Sequence, residues 1–360
     1  HPLRKVAHFS VQLQNRHYCS FIQYILDATF CEESLNLPSG SKGHACMQSL
    51  RQTGDESTTA EVVMCYSAQV WADYRRYVRE WGADISIKEF FDLFFRRAGG
   101  ERVIIPRAME ASFEDSTGPD GERIRALIEQ HRNQQRQQLR DDLEKQRVRL
   151  AAAEAALSVK TTKTATDNKR IASSKIVAIQ RRLDQLDNPE LLPSDSRIFP
   201  GSYALVMVSI DGHRQVLPMR YQCRPAGKPA SYDIRFPGTY NARRDNLDGF
   251  WREQFGHTHG VLVANAFYEN VLLHHAEGRD LRPGEEPRMV VVEFTTEPTQ
   301  ELLLACLWSH WTAPGEPDLL SFALITDDPP PEVAAAGHDR CVIALRPENL
   351  DQWLNPEERD

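Results

Sequence analysis

Side chains able to do chemistry gather at four places in this sequence of 360 residues. The first is Met64-Cys65. A cysteine directly after a methionine becomes an N-terminal residue once everything through that methionine is removed. It then carries a thiol and a free amine on adjacent carbons, a pair that no internal cysteine offers. Taken alone, the dipeptide reads first as a buried core cysteine, because free Cys is often interior. The other three places are Asn241-Ala242-Arg243, Ala266-Phe267-Tyr268-Glu269 and Gly337-His338-Asp339-Arg340. Each is weak singly: such an Asn commonly satisfies backbone groups, such a Glu lies on a surface, and a lone His is structural.

The elements that must position these residues follow from pattern. Residues 1–63 mix polar, Gly and Cys positions without sustained period, and 38–59 read as a polar loop. They read as a propeptide, an extension, or sequence upstream of a start at Met64, the last being favoured. From Met64 the character changes. Ser67 is expected to cap a helix from Ala68 to about Trp81, and a second, Phe-rich helix follows Ser86 and stops at Gly99-Gly100. Val103 to Arg107 reads as a strand ending in a turn. Residues 115–196 differ in kind. From Glu122 to Leu157 there is no Gly or Pro, and a narrow apolar stripe resumes from Ile171 to Leu186 after a Thr/Lys-rich break. That describes two antiparallel helices projecting from the body.

From residue 197 short strands return: Tyr203–Ile210, an Asp211-Gly212 turn into Gln215–Met219, then Gly260–Ala264, Arg288–Phe294, Ser321–Thr326 and Cys341–Leu345. Leu302–Trp311 is apolar and fits either helix or strand, and a short helix opens at Pro347. Many short strands with a few helices indicate an α+β domain with a mostly antiparallel sheet or barrel. The organisation is thus an extension (1–63), a first domain segment (64–114), a helical hairpin insertion (115–196) and a second domain segment (197–360).

Composition narrows the class. At 41% hydrophobic residues the chain can build a proper core. No apolar run is long enough to cross a membrane, and the N-terminus lacks a signal layout. Seven cysteines at irregular spacings form neither zinc pairs nor a disulfide framework, which fits a reducing cytosol. The net charge of −8 argues against bulk affinity for nucleic acid, so a polyanion site must come from clustered arginines. His257-Thr258-His259 and His274-His275 lack further ligands at metal-binding spacing, so no metal or cofactor is implied.

Taken together and in this order, Met64-Cys65, Asn241-Ala242-Arg243, Phe267-Tyr268-Glu269 and His338-Asp339-Arg340 resemble the SRAP family, the abasic-site-processing proteins also called SOS response-associated peptidases. The resemblance covers roughly 64–114 and 197–356. It departs in detail: Met219 to Pro225 replaces a Trp-Gly tract, the acidic residue after Asn-Ala-Arg falls at Asp245, Asn270 follows the glutamate, and Cys341 stands where Met-Pro is frequent. The implied fold is an SRAP-like, mostly antiparallel β core with flanking helices, carrying the hairpin as an insertion.

The resemblance implies a chemistry. The ring-opened aldehyde of an abasic site condenses with the Cys65 amine, whose typical pKa is about 7.7–8.0. The thiol then closes a thiazolidine, a durable crosslink to single-stranded DNA. Met64 marks the processing point. Glu269 would shuttle protons near the amine, His338 would be the second acid/base group, Asn241 would orient the nucleophile or sugar, and Arg243 would fork onto phosphate. Arg107, Arg224 and Arg244 are further candidate phosphate contacts, and Tyr221 a base-stacking one. The implied partner is abasic single-stranded DNA, with a DNA- or protein-contacting role open to the hairpin (120–187) and a cytoplasmic or nucleoid location. Two readings compete: a cysteine peptidase using the same residues, and a non-enzymatic interaction protein acting through the hairpin.

Overall fold

A computed structural model describes residues 9–14 and 67–356; Met64 and Cys65 lie outside the described residues. In chain order the first elements are β1 (Phe9–Gln14), β2 (Ser67–Val70), α1 (Tyr74–Trp81), β3 (Asp84–Ile85), α2 (Ile87–Ala98) and α3 (Arg107–Ala111). Two long helices follow, α4 (Pro119–Val159) and α5 (Lys163–Asp187). Then come β4 (Arg197–Ile198), β5 (Tyr203–Ile210), β6 (His213–Tyr221), α6 (Tyr232–Arg235), β7 (Asn241–Arg243), β8 (His259–Leu272) and α7 (Leu273–Ala276). The chain finishes with β9 (Met289–Glu297), β10 (Leu302–Trp311), β11 (Leu319–Asp327), α8 (Pro331–Ala335), β12 (Cys341–Val342), β13 (Ala344–Leu345) and α9 (Leu350–Leu354).

The protein is α+β, with a barrel-like sheet at its centre. Strands β8, β5, β6, β11 and β10 pair in that order, and β10 returns to β8, closing a ring. All of these pairings are antiparallel except the short parallel contact of β6 with β11. Closure leaves no bare edge among these strands. The strand β8 does double duty. Its first half pairs with β5 and β10 in the ring, while its second half, from Ala266 on, runs past the ring to pair with β2 and β9. The outer strand β1 then lies parallel to β9.

Both faces of the ring are covered, which explains its unbroken apolar strands. Along β5, Leu205 and Met207 join Tyr77, Phe90 and Phe94 beneath the helices. The alternate residues Ala204, Val206 and Val208 join Leu262, Phe267 and Phe294 on the other side. Asp211 and Gly212 both take positive φ (51° and 77°), the turn the Asp-Gly pair predicts for the β5–β6 hairpin.

The helical insertion is longer than its apolar stripe predicts. Helix α4 has 41 residues, about 60 Å at ~1.5 Å each. Leu143 and Ala153 of α4 are buried along the seam with Ala165 and Ala172 of α5. At its root Ile124 and Ile128 enter the main core. Thr162 caps α5, its side chain accepting from the Ala165 amide at 3.2 Å.

Two local expectations fail. The helix expected from Ala68 is a strand over Ser67–Val70, held by β8 and β4, and α1 begins only at Tyr74 with Asp73 as its cap. A pairing partner two hundred residues away outweighs a four-residue helical preference. Val103–Arg107 is not a strand: it makes one bridge, Ile104 to Ser202, before α3. The ambiguous Leu302–Trp311 is the strand β10.

Ile124 is fully buried and ties the insertion to the core. Ile124→Ala should therefore lower unfolding free energy by about 2–4 kcal/mol in chemical denaturation. Val148→Ala, on an exposed face of the same helix, should change it by less than about 0.5 kcal/mol.

Candidate functional site

The second half of β8 places Glu269 where water does not reach; the residue is 1% exposed. Burial pushes its carboxyl well above the usual carboxylate range, with Asp339 adding to the effect and Arg340 opposing it. His338 follows α8 and brings its Nε2 to 3.2 Å from Oε2 of Glu269. The approach is out of line, so both carboxylate oxygens lack a hydrogen-bond donor among the described residues. On the far side of the ring, His338 Nδ1 lies 2.9 Å from the Arg340 carbonyl. The same Nδ1 lies 3.4 Å from the Arg340 amide nitrogen, so it donates to the carbonyl in one tautomer and accepts from the amide in the other.

Local backbone fixes this imidazole. Gly337 has φ +91°, and a Cβ there would sit 2.4 Å from the Cβ of His275 on α7. Only glycine satisfies both the torsion and the space. The His338 amide donates to the Val333 carbonyl at 3.3 Å, tying it to α8.

Asn241 arrives by a different route. Strand β7 lies parallel to β11, pairing Leu324 with Asn241 and Thr326 with Arg243. The buried Thr326 hydroxyl donates to Asn241 Oδ1, which leaves the amide NH2 of Asn241 as the end available to a ligand. On its other edge β11 pairs with β12, so Asp327 sits opposite Cys341. The strand β11 thus gathers the Asn-Ala-Arg and His-Asp-Arg motifs, and β8 brings the glutamate.

Beside them opens a cavity of about 540 Å³, lined by Arg243, Arg244, Arg340, Thr326 and four aspartates, 245, 327, 328 and 339. Each arginine faces an acid. Arg243 forks onto Asp245, with Nε at 2.9 Å, Arg244 reaches Asp327 at 2.8 Å, and Arg340 lies 3.8 Å from Asp339. The Arg243–Asp245 pair is exposed on both sides and such pairs are worth little, typically about 0–1 kcal/mol, so an incoming phosphate can exchange with that carboxylate, while Arg244, Asp327 and Arg340 are half-buried.

The remaining expected DNA contacts lie elsewhere. Arg224 is buried, clamped with Arg220 onto Asp233 and stacked over Trp311 at 4.3 Å, so it holds structure and does not meet a phosphate. Tyr221 is fully buried, stacked on Phe322 at 5.1 Å, and offers no ring face to a base. Its hydroxyl lacks a partner among the described residues, and burial, aided by the Glu269 charge, pushes its pKa up. Arg107 begins α3 at the root of the insertion, 3.4 Å from Asp195, away from the arginine cavity. His259 is structural: it accepts from the Gly256 amide at 2.8 Å and stacks on Trp353.

Several contributors were not singled out from sequence. Asp339 and Arg340 sit inside the His-Asp-Arg motif beside His338, where their types alone read as surface charge. Thr326 carried no signal, being one polar residue at a strand end. Arg197 carries no sequence signal either. It donates from Nε and Nη2 to Ser67 Oγ at 2.9 and 2.7 Å and covers the Tyr268 ring at 3.9 Å. Tyr268 in turn donates to Glu293 at 2.6 Å. This network pins the first described residue after Cys65 against the strand that bears Glu269.

Among the described residues no helix is long and apolar enough to cross a membrane, and no cluster of His, Cys, Asp and Glu could hold a metal ion. Residues 158–360 match the model of a family described as SOS response associated peptidase (SRAP). Among solved structures, a protein from Bordetella bronchiseptica is 19% identical with a TM-score of 0.37, the match covering 49% of this chain and 85% of that one. A phage-related protein from the same organism is 22% identical with a TM-score of 0.31, covering 44% of this chain and 68% of that one. No curated protein matches the chain.

Because the folded state raises the Glu269 pKa, the wild-type protein is favoured when this group is protonated in both states. It loses stability as pH rises from the ordinary value of about 4.5 toward the raised one. Glu269→Gln removes that liability, so its melting temperature should equal that of the wild type near pH 4 and exceed it increasingly toward pH 7. A constant difference across this range would contradict the buried-acid account. Gly337→Ala should destabilise by about 1–3 kcal/mol, measured by denaturant titration.

Proposed function

This chain belongs to the SOS response associated peptidase (SRAP) family, and from that premise we propose that it captures abasic sites in single-stranded DNA through Cys65, once that residue is N-terminal. Family membership makes it a protein associated with the DNA-damage response. The observation that supports the finer reading most strongly is the Glu269 carboxyl: buried, undonated-to, and beside His338. A second supports its relation to Cys65. Ser67 pairs with Tyr268, the neighbour of Glu269, and Cys65 is only two residues upstream. Two residues of chain span at most about 7 Å.

The reaction divides into two bond-forming steps. The neutral α-amine of Cys65 adds to the C1′ aldehyde of the ring-opened sugar, giving a carbinolamine. Loss of its hydroxyl as water leaves an imine, and a carboxyl whose pKa burial raises well above the usual range is suited to supply the proton that makes hydroxide a leaving group. The thiol then adds across the C=N bond. Sulfur bonds to carbon, and the thiol proton ends on nitrogen. The net change is aldehyde plus aminothiol to thiazolidine plus water. Glu269 would give the first proton, and His338, 3.2 Å away, would serve as the second acid/base group. Asn241 would hold the opened sugar by its free amide, and Arg243, released from Asp245, would take the adjacent phosphate.

The form that begins at Cys65 should give a denaturant-resistant adduct with abasic single-stranded DNA on a gel, and Cys65→Ala should give none. Cys65→Ser keeps the amine, so its adduct should survive only when the imine is reduced with borohydride. Peptide turnover without any DNA adduct would instead establish the peptidase reading. Glu269→Gln should slow adduct formation by about 10²-fold or more. In the wild type the rate should fall as pH rises through the elevated Glu269 pKa, because the acid form is lost.

A further inference from the structure

The outer part of the helical insertion is rich in cations. Between residues 145 and 175, spanning the ends of α4 and α5 and their connection, stand eight Lys and Arg side chains and two acids, in a chain of net charge −8; Lys145 and Arg147 pair with Asp142 and Glu144 just before this span. The two acids are already engaged: Glu154 with Lys169 at 3.0 Å and Asp167 with Arg170 at 3.7 Å. Lys160, Lys163 and Lys175 are exposed and meet no acidic partner among the described residues. Lys163 opens α5, where the helix dipole disfavours a cation and no acidic residue stands in the first turn. A charge placed against local preference, on a surface that packs nothing, is the kind of inconsistency that marks a working surface.

The chemistry favours a polyanion over a protein. Protein-docking faces are anchored by aromatic and other large apolar side chains, and residues 119–187 contain no Phe, Tyr, Trp or Met. Their exposed apolar residues, Val148, Val159 and Val177, are scattered. Geometry connects this surface to the site. After α5 the chain enters β4, which pairs with β2 at Ala68 and Gln69, so the arm springs from the strand that follows Cys65. Beyond Ile128, where α4 leaves the core, the helix continues for roughly 45 Å.

We propose that the outer half of this arm contacts the phosphate backbone of DNA away from the lesion, without reading sequence. This deepens the reading that the barrel site takes abasic DNA. The test uses undamaged DNA, so that it does not depend on crosslinking. Binding of the full chain is followed by fluorescence anisotropy against salt, with single strands of about 40 and about 10 nucleotides, at roughly 3.4 Å per step. On the long strand, Lys160→Gln/Lys163→Gln/Lys175→Gln should weaken binding about tenfold at low salt and reduce the slope of log K on log[salt] by about 2, as loss of three single-strand phosphate contacts requires. The triple Lys→Arg variant should bind like the wild type. On the short strand all three proteins should agree. The same lengths as duplex tell whether the contacted phosphates lie in single-stranded or flanking paired DNA; a loss on either supports the proposal. Unchanged affinity and slope for the Gln variant on both long probes, with helicity intact by circular dichroism, overturn it and leave the arm to a protein partner. An equal loss on the short strand overturns it too. If the thiazolidine reaction fails while this salt dependence holds, the barrel reading is lost and the arm remains a DNA contact.

Discussion

Burial of one carboxyl governs this protein. An acid in an apolar wall resists ionisation, because water solvates the charged form far better than a protein interior does. Glu269 is held in that condition by β8, whose first half is locked into the closed ring and whose second half is covered by β2 and β9. The strand cannot relax toward solvent without opening the barrel. Its partner His338 is confined just as firmly, by a glycine that no other residue can replace without striking His275. The strength of the site lies in what surrounds it: hydrophobic closure raises the pKa of this acid well above the range it would have in water.

The neighbouring arginines show a second balance. The arginine cavity is not a bare cationic pocket, since four aspartates share it with three arginines. Such a lining is close to neutral while empty, which suits a protein of net negative charge. Charge there is stored as exchangeable pairs, and a phosphate need only compete with a solvated carboxylate. Discrimination then rests on fork geometry, as much as on attraction.

Much of this was legible in sequence, and the failures have physical causes. The insertion was readable because a long run without Gly or Pro and with a steady stripe has no other stable form. The Asp211-Gly212 turn was readable because two consecutive positive φ angles demand such residues. Ser67–Val70 was misread because its structure is imposed by β8, distant in sequence. Tyr221 and Arg224 read from sequence as DNA contacts because residue type reports capacity, while only the fold reports access. The arginine cavity was half legible: the motif named Arg243, but nothing in the order of residues said that Asp327 and Asp328 would line the same wall. The grouping of Asn241, Glu269 and His338 came from motif resemblance. The structure supplies the means of assembly, with β11 gathering two motifs and β8 the third.

The two long helices leave the body and return to it side by side, joined to each other by residues 160–162. Because entry and exit are neighbours, the barrel is indifferent to how far the arm extends. Adding or removing matched turns in both helices moves the tip by about 5 Å per turn and disturbs no strand register. The reach of the molecule is therefore an independently adjustable dimension. A lineage carrying this insertion can lengthen or shorten its span without touching the chemistry at the base.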